Sequence, residues 1–328
     1  MIFKKEQKEK NKSSKTEMDL DTFKQYESPI VNDVLGFSSN FFISSYSENT
    51  VVKSPESVFR GAIFSKNRFL SEEYLLNFRK NESDLAMGMG VMNFQEPSVL
   101  QAMALRKYKE DPKHLIQLPD YTPIKASIDA VFRSRRSVRK YSSREMSLEE
   151  LSTILFYGQG ISGGFKFDGA PETASMGPDN AEIQWRMAPS GGSLYPVDLY
   201  FFSSNVRELD NGIYKYIPEH HGLKSIRTLE KDFDLNNVAQ IQDLDYKNAN
   251  LFFVFVYKLY ENTRKYGDSG LAFAFIEAGE ISENIHLACT AMGCGPCDIG
   301  GYLKHELEKS IELDGLTQHV IHTMLVGC

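Results

Sequence analysis

The stretch RMAPSGGSLYPVDLYFF, residues 186–202, runs a loop of small residues straight into a strand-like sequence. Gly191 and Gly192, inside Pro189–Ser193, leave no side-chain bulk, so the backbone there can come within hydrogen-bonding distance of a flat ligand. A mere tight turn would need fewer special residues. The VDLYFF that follows has the β-branched and aromatic content of a sheet element.

Outward from this point the signals are regular. GIYKYI (212–217) and NLFFVFVYKL (250–259) read as strands, the second a central one. SLEELSTILFYG (147–158) has a Ser cap, glutamates in its first turn and a Gly stop, and predicts a helix. GLAFAFIEAGEISENIHLACTAMG (270–293) predicts a long helix whose apolar face recurs at Phe275, Ala278, Ile281, Ile285, Ala288 and Met292. A short helix (303–313) and a last strand, HVIHTMLVG (319–327), complete the pattern. Helices flanking one set of strands imply an α+β layer domain of about 200 residues, placed here at 120–328. Ahead of it, residues 1–20 read as a disordered polar tail and 21–119 as a helix-rich accessory domain, with QLPDYTP (117–123) as the boundary.

Composition narrows the function. The 328 residues are 41% hydrophobic and 25% charged, with a net charge of −7, which speaks against general nucleic-acid binding. The most apolar run, ANLFFVFVY (249–257), is too short to span a bilayer, and no membrane association is expected. The Lys-rich start, MIFKKEQKEKNKSSK, has no apolar stretch behind it and is read as neither signal peptide nor anchor. The four cysteines do not resemble a secreted disulfide framework, so the cytoplasm is the expected compartment.

Several motifs tempt and fail on context. GQGISG (158–163) matches a dinucleotide fingerprint, but its glycines follow a helix and precede a loop, so helix capping is the better reading. CGPC (294–297) has the sequence of a redox pair, yet it follows a helix C-terminus, where the dipole would raise a thiol pKa rather than lower it. His286, Cys289, Cys294 and Cys297 have zinc-like spacing, but two of them sit inside an apolar helix, and no metal is expected. A lone ENIH (283–286), without a second copy, reads as helix surface. The knot RSRRSVRKYS (133–142) carries five basic side chains with Ser134 and Ser137 among them, a set suited to an anion.

Three segments together, RRSVRKYS (135–142), APSGGSLYPVDLY (188–200) and IEAGEISENIHLACTAMGCGPCDIGGY (276–302), resemble the nitroreductase-fold flavoproteins. More closely they resemble the SagB-type dehydrogenases of thiazole- and oxazole-containing peptide biosynthesis. The resemblance covers about residues 120–328 and implies a mostly antiparallel sheet flanked by helices in an intertwined homodimer. It implies FMN, with Arg135, Arg136, Ser137 and Arg139 on its phosphate. It places the Pro189, Ser190, Gly191, Gly192, Ser193 loop near the isoalloxazine across the subunit interface, with Arg186 at the ring's polar edge. Pro296, Asp298, Ile299, Gly300 and Gly301 would cover the flavin, leaving the CGPC cysteines incidental. Many simple nitroreductases carry further basic residues after the terminal VG strand; this sequence stops at Cys328, so the expected phosphate site rests on the arginines near 135–139.

The chemistry implied is oxidation of peptide thiazolines or oxazolines to azoles, in company with a cyclodehydratase and an azoline-containing precursor peptide. Such an oxidation needs a base, and Lys215-Tyr216 resembles a catalytic pair of that subfamily; a desolvated Lys, or a Tyr beside a cation, could serve. An exposed strand Lys and an ordinary strand Tyr are the plain alternative. His220 and His221 could be relays. Two other functions stay open: an NAD(P)H-dependent nitro- or quinone reductase on the same fold, and a non-catalytic scaffold subunit of a peptide-modifying complex.

Overall fold

The computed structural model describes residues 70–77, 85–96, 99, 110–166, 182–230 and 232–328. The expected tail (1–20) and most of the expected accessory region (21–119) lie outside them. Within that region two short helices are described, α1 (Leu70–Asn77) and α2 (Leu85–Asn93).

Next come a two-residue strand β1 (Ile116–Gln117) and helices α3 (Ile128–Ser134) and α4 (Leu148–Gln159). Strands β2 (Ile161–Lys166) and β3 (Glu182–Arg186) form an antiparallel ribbon of their own. The main strands then follow: β4 (Val197–Ser203), β5 (Gly212–Ile217), β6 (Gly222–Thr228) and β7 (Leu251–Lys258). After α5 (Leu259–Tyr266) and the long α6 (Ser269–Met292), the chain closes with β8 (Gly295–Ile299), α7 (Lys304–Ser310) and β9 (Gln318–Gly327). The main sheet has the order β1-β6-β5-β4-β7-β9-β8, and every neighbouring pair is antiparallel.

Local sequence explains the helix ends. At α4 the Ser147 hydroxyl accepts the Glu150 N–H, while the Glu150 carboxylate accepts the Ser147 N–H at 2.9 Å. Such a reciprocal cap satisfies two otherwise orphaned donors. Gly160 of GQGISG caps the end of this helix, its N–H returning to Phe156 O. α6 stops at Gly293, whose φ of 77° lets its N–H turn back to the carbonyls of Cys289 and Thr290.

The sheet is buried on both faces. Against α4 and α6 lie Leu199, Phe201, Phe253 and Phe255, packed with Leu151, Ile154, Ile281 and Ile285. On the opposite face Tyr200, Phe202, Phe252, Val254 and Leu325 pack with Leu307 and Ile311. Two-sided burial is why β7 reads as a continuous apolar run rather than an alternating one. The apolar stripe read along α6 needs one correction, because Phe275 faces outward at 52% exposure.

The stretch 117–123 is stitched to the sheet and α4: Ile116 pairs with Leu223, the Ser152 hydroxyl donates to Pro119 O at 2.5 Å, and Tyr121 stacks on Phe156. The CGPC cysteines do not pair with each other. Cys294 is disulfide-bonded to Cys328, tying the end of α6 to the end of β9, while Cys289 and Cys297 are buried free thiols.

Candidate functional site

The basic segment leaves α3 and runs along the sheet edge formed by β8. The Val138 N–H donates to Pro296 O at 2.9 Å. This approach is why position 295 is glycine: a Cβ there would stand 2.5 Å from the Val138 side chain. Residues 135–139 and 296–301, far apart in sequence, are thereby brought together. Arg136 spends one guanidinium nitrogen on the carbonyls of Arg133 and Arg135, and Arg139 turns toward the carbonyl of Ser137. Arg135 has a loose contact with Glu283 at 3.8 Å. Among the described residues neither Arg136 nor Arg139 has a carboxylate partner, and both, with Ser137, are exposed. Unneutralised cations crowded around a hydroxyl make a ready cradle for a phosphate.

In the segment 296–301 the expected contacts divide. Asp298 does not present a free carboxylate, because it accepts from Ser282 Oγ at 2.7 Å, His286 Nε2 at 2.9 Å and His322 Nε2 at 2.7 Å. Partial burial alone would raise its pKa, but these donors hold it well below the usual carboxylate range. The Ile299 side chain is buried in the core. Asp298 can therefore offer a ligand its backbone rather than its side chain, whereas the Ile299 carbonyl already accepts from Thr323 Oγ1 at 2.7 Å. Past β8, among the described residues other than its chain neighbours, no atom lies within 4 Å of where a Cβ on Gly300 would stand, so the backbone there is open to close approach.

The loop 189–193 packs against α5 and α6. Gly192 takes a φ of 64°, where a side chain would be strained, and its missing Cβ would meet Lys265 Nζ at 2.5 Å and the Tyr266 hydroxyl at 2.6 Å. Ser190 Oγ accepts the Tyr195 N–H at 2.9 Å. Beneath the loop is Glu277, whose Oε1 accepts the Val197 N–H at 3.1 Å. Burial pushes the Glu277 carboxyl up to about 7, against the opposing hydrogen bonds from Ser190 and Val197.

Arg186 corrects an expectation. Its guanidinium is ion-paired with Glu219 at 2.7 Å, both side chains almost fully buried, and it lies over the Tyr195 ring. Its charge is already neutralised, so it supports the loop from within rather than offering a free cation to a ring edge.

Lys215 and Tyr216 are adjacent on β5 and therefore face opposite sides of the sheet. Lys215 Nζ stands 2.8 Å from Asp198, which is also held by Lys258 at 2.8 Å. Burial would lower the Lys215 pKa, but the Asp198 charge overrides it and keeps the amine above the ordinary lysine range. A firmly charged ammonium is no general base, which corrects the expectation of a neutral Lys215.

Tyr216 is 1% exposed, and its hydroxyl lies 2.8 Å from His221 Nδ1. His221 Nε2 lies 2.7 Å from Ser152 Oγ, whose one proton goes to Pro119 O. His221 Nε2 must then donate to Ser152, leaving Nδ1 as acceptor of the Tyr216 O–H. Burial lowers the His221 pKa and favours this neutral form.

Sequence reasoning missed Asp198, Glu219, Glu277 and Lys265. All four matter through partners, or the lack of one, at positions that no local pattern links.

A model of the nitroreductase family matches residues 132–328. A Methanocaldococcus jannaschii protein described as a candidate nitroreductase is 30% identical over 198 residues, covering 60% of this chain and 89% of its own. A solved candidate nitroreductase from Ralstonia eutropha superposes with a TM-score of 0.51 and 22% identity, over 66% of this chain and 90% of that one. At that identity the likeness shows the fold alone. A chain of the E. coli microcin synthetase complex McbBCD, solved with truncated pro-MccB17 bound, aligns over 96% of this chain and 99% of its own, with a TM-score of 0.48 and 19% identity.

Proposed function

The chain belongs to the nitroreductase family, and on that premise we propose that it is an FMN-dependent dehydrogenase that oxidises peptide thiazolines or oxazolines to azoles. Members of the family bind FMN, and the residues here fit it. The observation that carries the reading is the Val138–Pro296 contact, which sets an unneutralised basic cradle beside a glycine-containing segment open to close backbone approach. Arg135, Arg136, Ser137 and Arg139 would hold the phosphate. Loop 189–193 and the backbone of 296–301 would hold the ring. When bound, FMN supplies the hydride acceptor.

The azoline substrate rests on the resemblance of the three quoted segments to SagB-type dehydrogenases, which also implies a cyclodehydratase partner. In this reading Lys215 acts as a fixed cation. Tyr216, whose hydroxyl is held by His221 Nδ1, is the candidate proton acceptor left to this reading, and it would have to be uncovered from its buried place to reach a substrate. A homodimer fits the outward apolar side chains Ile128 and Phe132 on α3 and Phe275 and Ile276 on α6. The cytoplasm is the proposed compartment; no helix among the described residues is long and apolar enough to cross a membrane.

One observation favours a second reading, an NAD(P)H-dependent nitro- or quinone reductase. Such an enzyme needs no base for a carbon-bound proton, and here Lys215 is held charged while Tyr216 is buried. The two readings separate in one anaerobic experiment on the FMN-loaded protein. Bleaching of the flavin by a synthetic azoline peptide supports the first. Bleaching by NAD(P)H, with none by the peptide, sinks it in favour of the second.

A further inference from the structure

Lys265 is the one lysine among the described residues that is buried without an acidic partner. The residue is 9% exposed, and its Nζ lies against the rings of Phe94 (5.6 Å) and Tyr266 (5.2 Å). Among the described residues it makes no hydrogen bond or ion pair, and its Nζ keeps a path to solvent. The nearby carboxylates are engaged elsewhere: Glu277 accepts from Val197, and Glu261 sits 3.8 Å from Lys258. Burial alone pushes the Lys265 amine below the ordinary lysine range, with no anion to oppose it. Two aromatic faces and the remaining solvent contact compensate the largely covered ammonium only in part. Lysines are seldom buried without a counter-charge, so the site is electrostatically incomplete.

The position of the amine says what could complete it. The Nζ lies 2.5 Å from the point where a Cβ on Gly192 would stand, directly against the turn. The ammonium therefore takes the volume that any other residue at 192 would have filled. It lies immediately beside the backbone of the loop assigned above to the flavin ring.

We propose that Lys265 is the charge partner of that ring, an ammonium held at the Gly191–Gly192 turn that stabilises the negative charge the isoalloxazine gains on two-electron reduction. The proposal rests on the FMN reading of the preceding subsection. It does not depend on which substrate delivers the hydride. The oxidised ring is neutral and gains little from the ammonium, whereas the reduced ring is an anion in a site of low dielectric, where one cation at close range counts strongly. Lys265 would thus favour reduced over oxidised cofactor and raise the potential of the bound flavin. Its role is electrostatic, and no proton is transferred.

The test compares the affinities of the full-length protein for oxidised and reduced FMN. The potential of the bound flavin is measured by dye equilibration, without peptide substrate. Lys265→Met keeps the apolar stem and removes the charge; Lys265→Gln is the second variant should the first not fold. The expected result is oxidised-FMN affinity within about threefold of wild type and a relative loss of about tenfold for the reduced form. For a two-electron couple that ratio is a fall of about 30 mV. Lys265→Arg should recover most of it. An unchanged potential in the neutral variants overturns the proposal. So does an equal loss of both forms, which would make Lys265 a structural prop. Failure of the wild-type protein to take up FMN overturns the FMN reading and this inference together. A wild type that binds FMN but ignores azoline peptides leaves this inference standing.

Discussion

Lys215 Nζ and Asp198 Oδ2 stand 2.8 Å apart on neighbouring strands, and Lys258 closes the other carboxylate oxygen at the same distance. One buried anion thus serves two ammoniums. Replacing it would leave two like charges facing each other with nothing between them.

Asp198→Asn should therefore cost about 3 kcal/mol of stability at neutral pH. Burial opposes the charged form of Asp198, but the two lysines hold its pKa far below the ~3.9 of an unfolded aspartate. A depressed pKa gives stability that is present above the unfolded value and fades as pH falls toward the folded one. The gap between wild type and variant should stay constant from pH 7 to about 5 and narrow only below about pH 4. Urea midpoints at pH 7, 5 and 3 measure it, and equal midpoints at pH 7 would show the cluster to be energetically idle.

Arg135→Ala with Arg139→Ala should abolish tight FMN binding while the fold survives, since neither arginine belongs to the core. Each charge-assisted contact contributes roughly 1.5–3 kcal/mol, so the pair should weaken affinity by roughly a hundredfold or more. Flavin titration of the apoprotein reads this directly. Wild-type affinity in the double variant would make the basic knot a solvated surface.

Glu277→Gln should flatten the stability profile near neutrality. Burial raises the Glu277 pKa to about 7, above the ~4.3 of an unfolded glutamate. The sign is opposite to that of Asp198: stability from this group is complete below about pH 4 and is lost as pH rises toward 7, up to about 4 kcal/mol. Gln keeps an acceptor for the Val197 N–H and never ionises. Melting temperatures of wild type and variant should diverge between about pH 4 and 7 in favour of the variant and run parallel above about pH 8, and parallel curves from pH 4 to 7 would refute the buried titration.

What was legible in the sequence was local. The cap at Ser147, the stop at Gly293 and the apolar run of β7 announce themselves within a few residues, and their elements form where expected. The Gly-rich loop was legible for the same reason, because a positive φ at Gly192 restricts the residue type. Charge bookkeeping was not. Arg186 looked like a free cation until Glu219, 33 positions away, took it up. The pairing of Cys294 with Cys328 rather than Cys297 depends on where β9 ends. Lys215 and Tyr216 adjoin in sequence, yet strand alternation sends them to opposite faces and to unconnected partners. Lys265 carried no signal at all, since a missing partner leaves no mark on a sequence.

The hydrogen bond from Val138 to Pro296 has a consequence for selectivity. It fastens the basic segment to a strand of the main sheet, so under the proposed reading the distance from phosphate cradle to ring segment is a fixed gauge rather than the reach of a flexible arm. A ligand is then measured end to end. Riboflavin would leave the cationic end empty, and a ring joined to its phosphate by a shorter or longer tether would fill one end only by vacating the other. A rigid gauge ranks flavins by length before any chemistry begins.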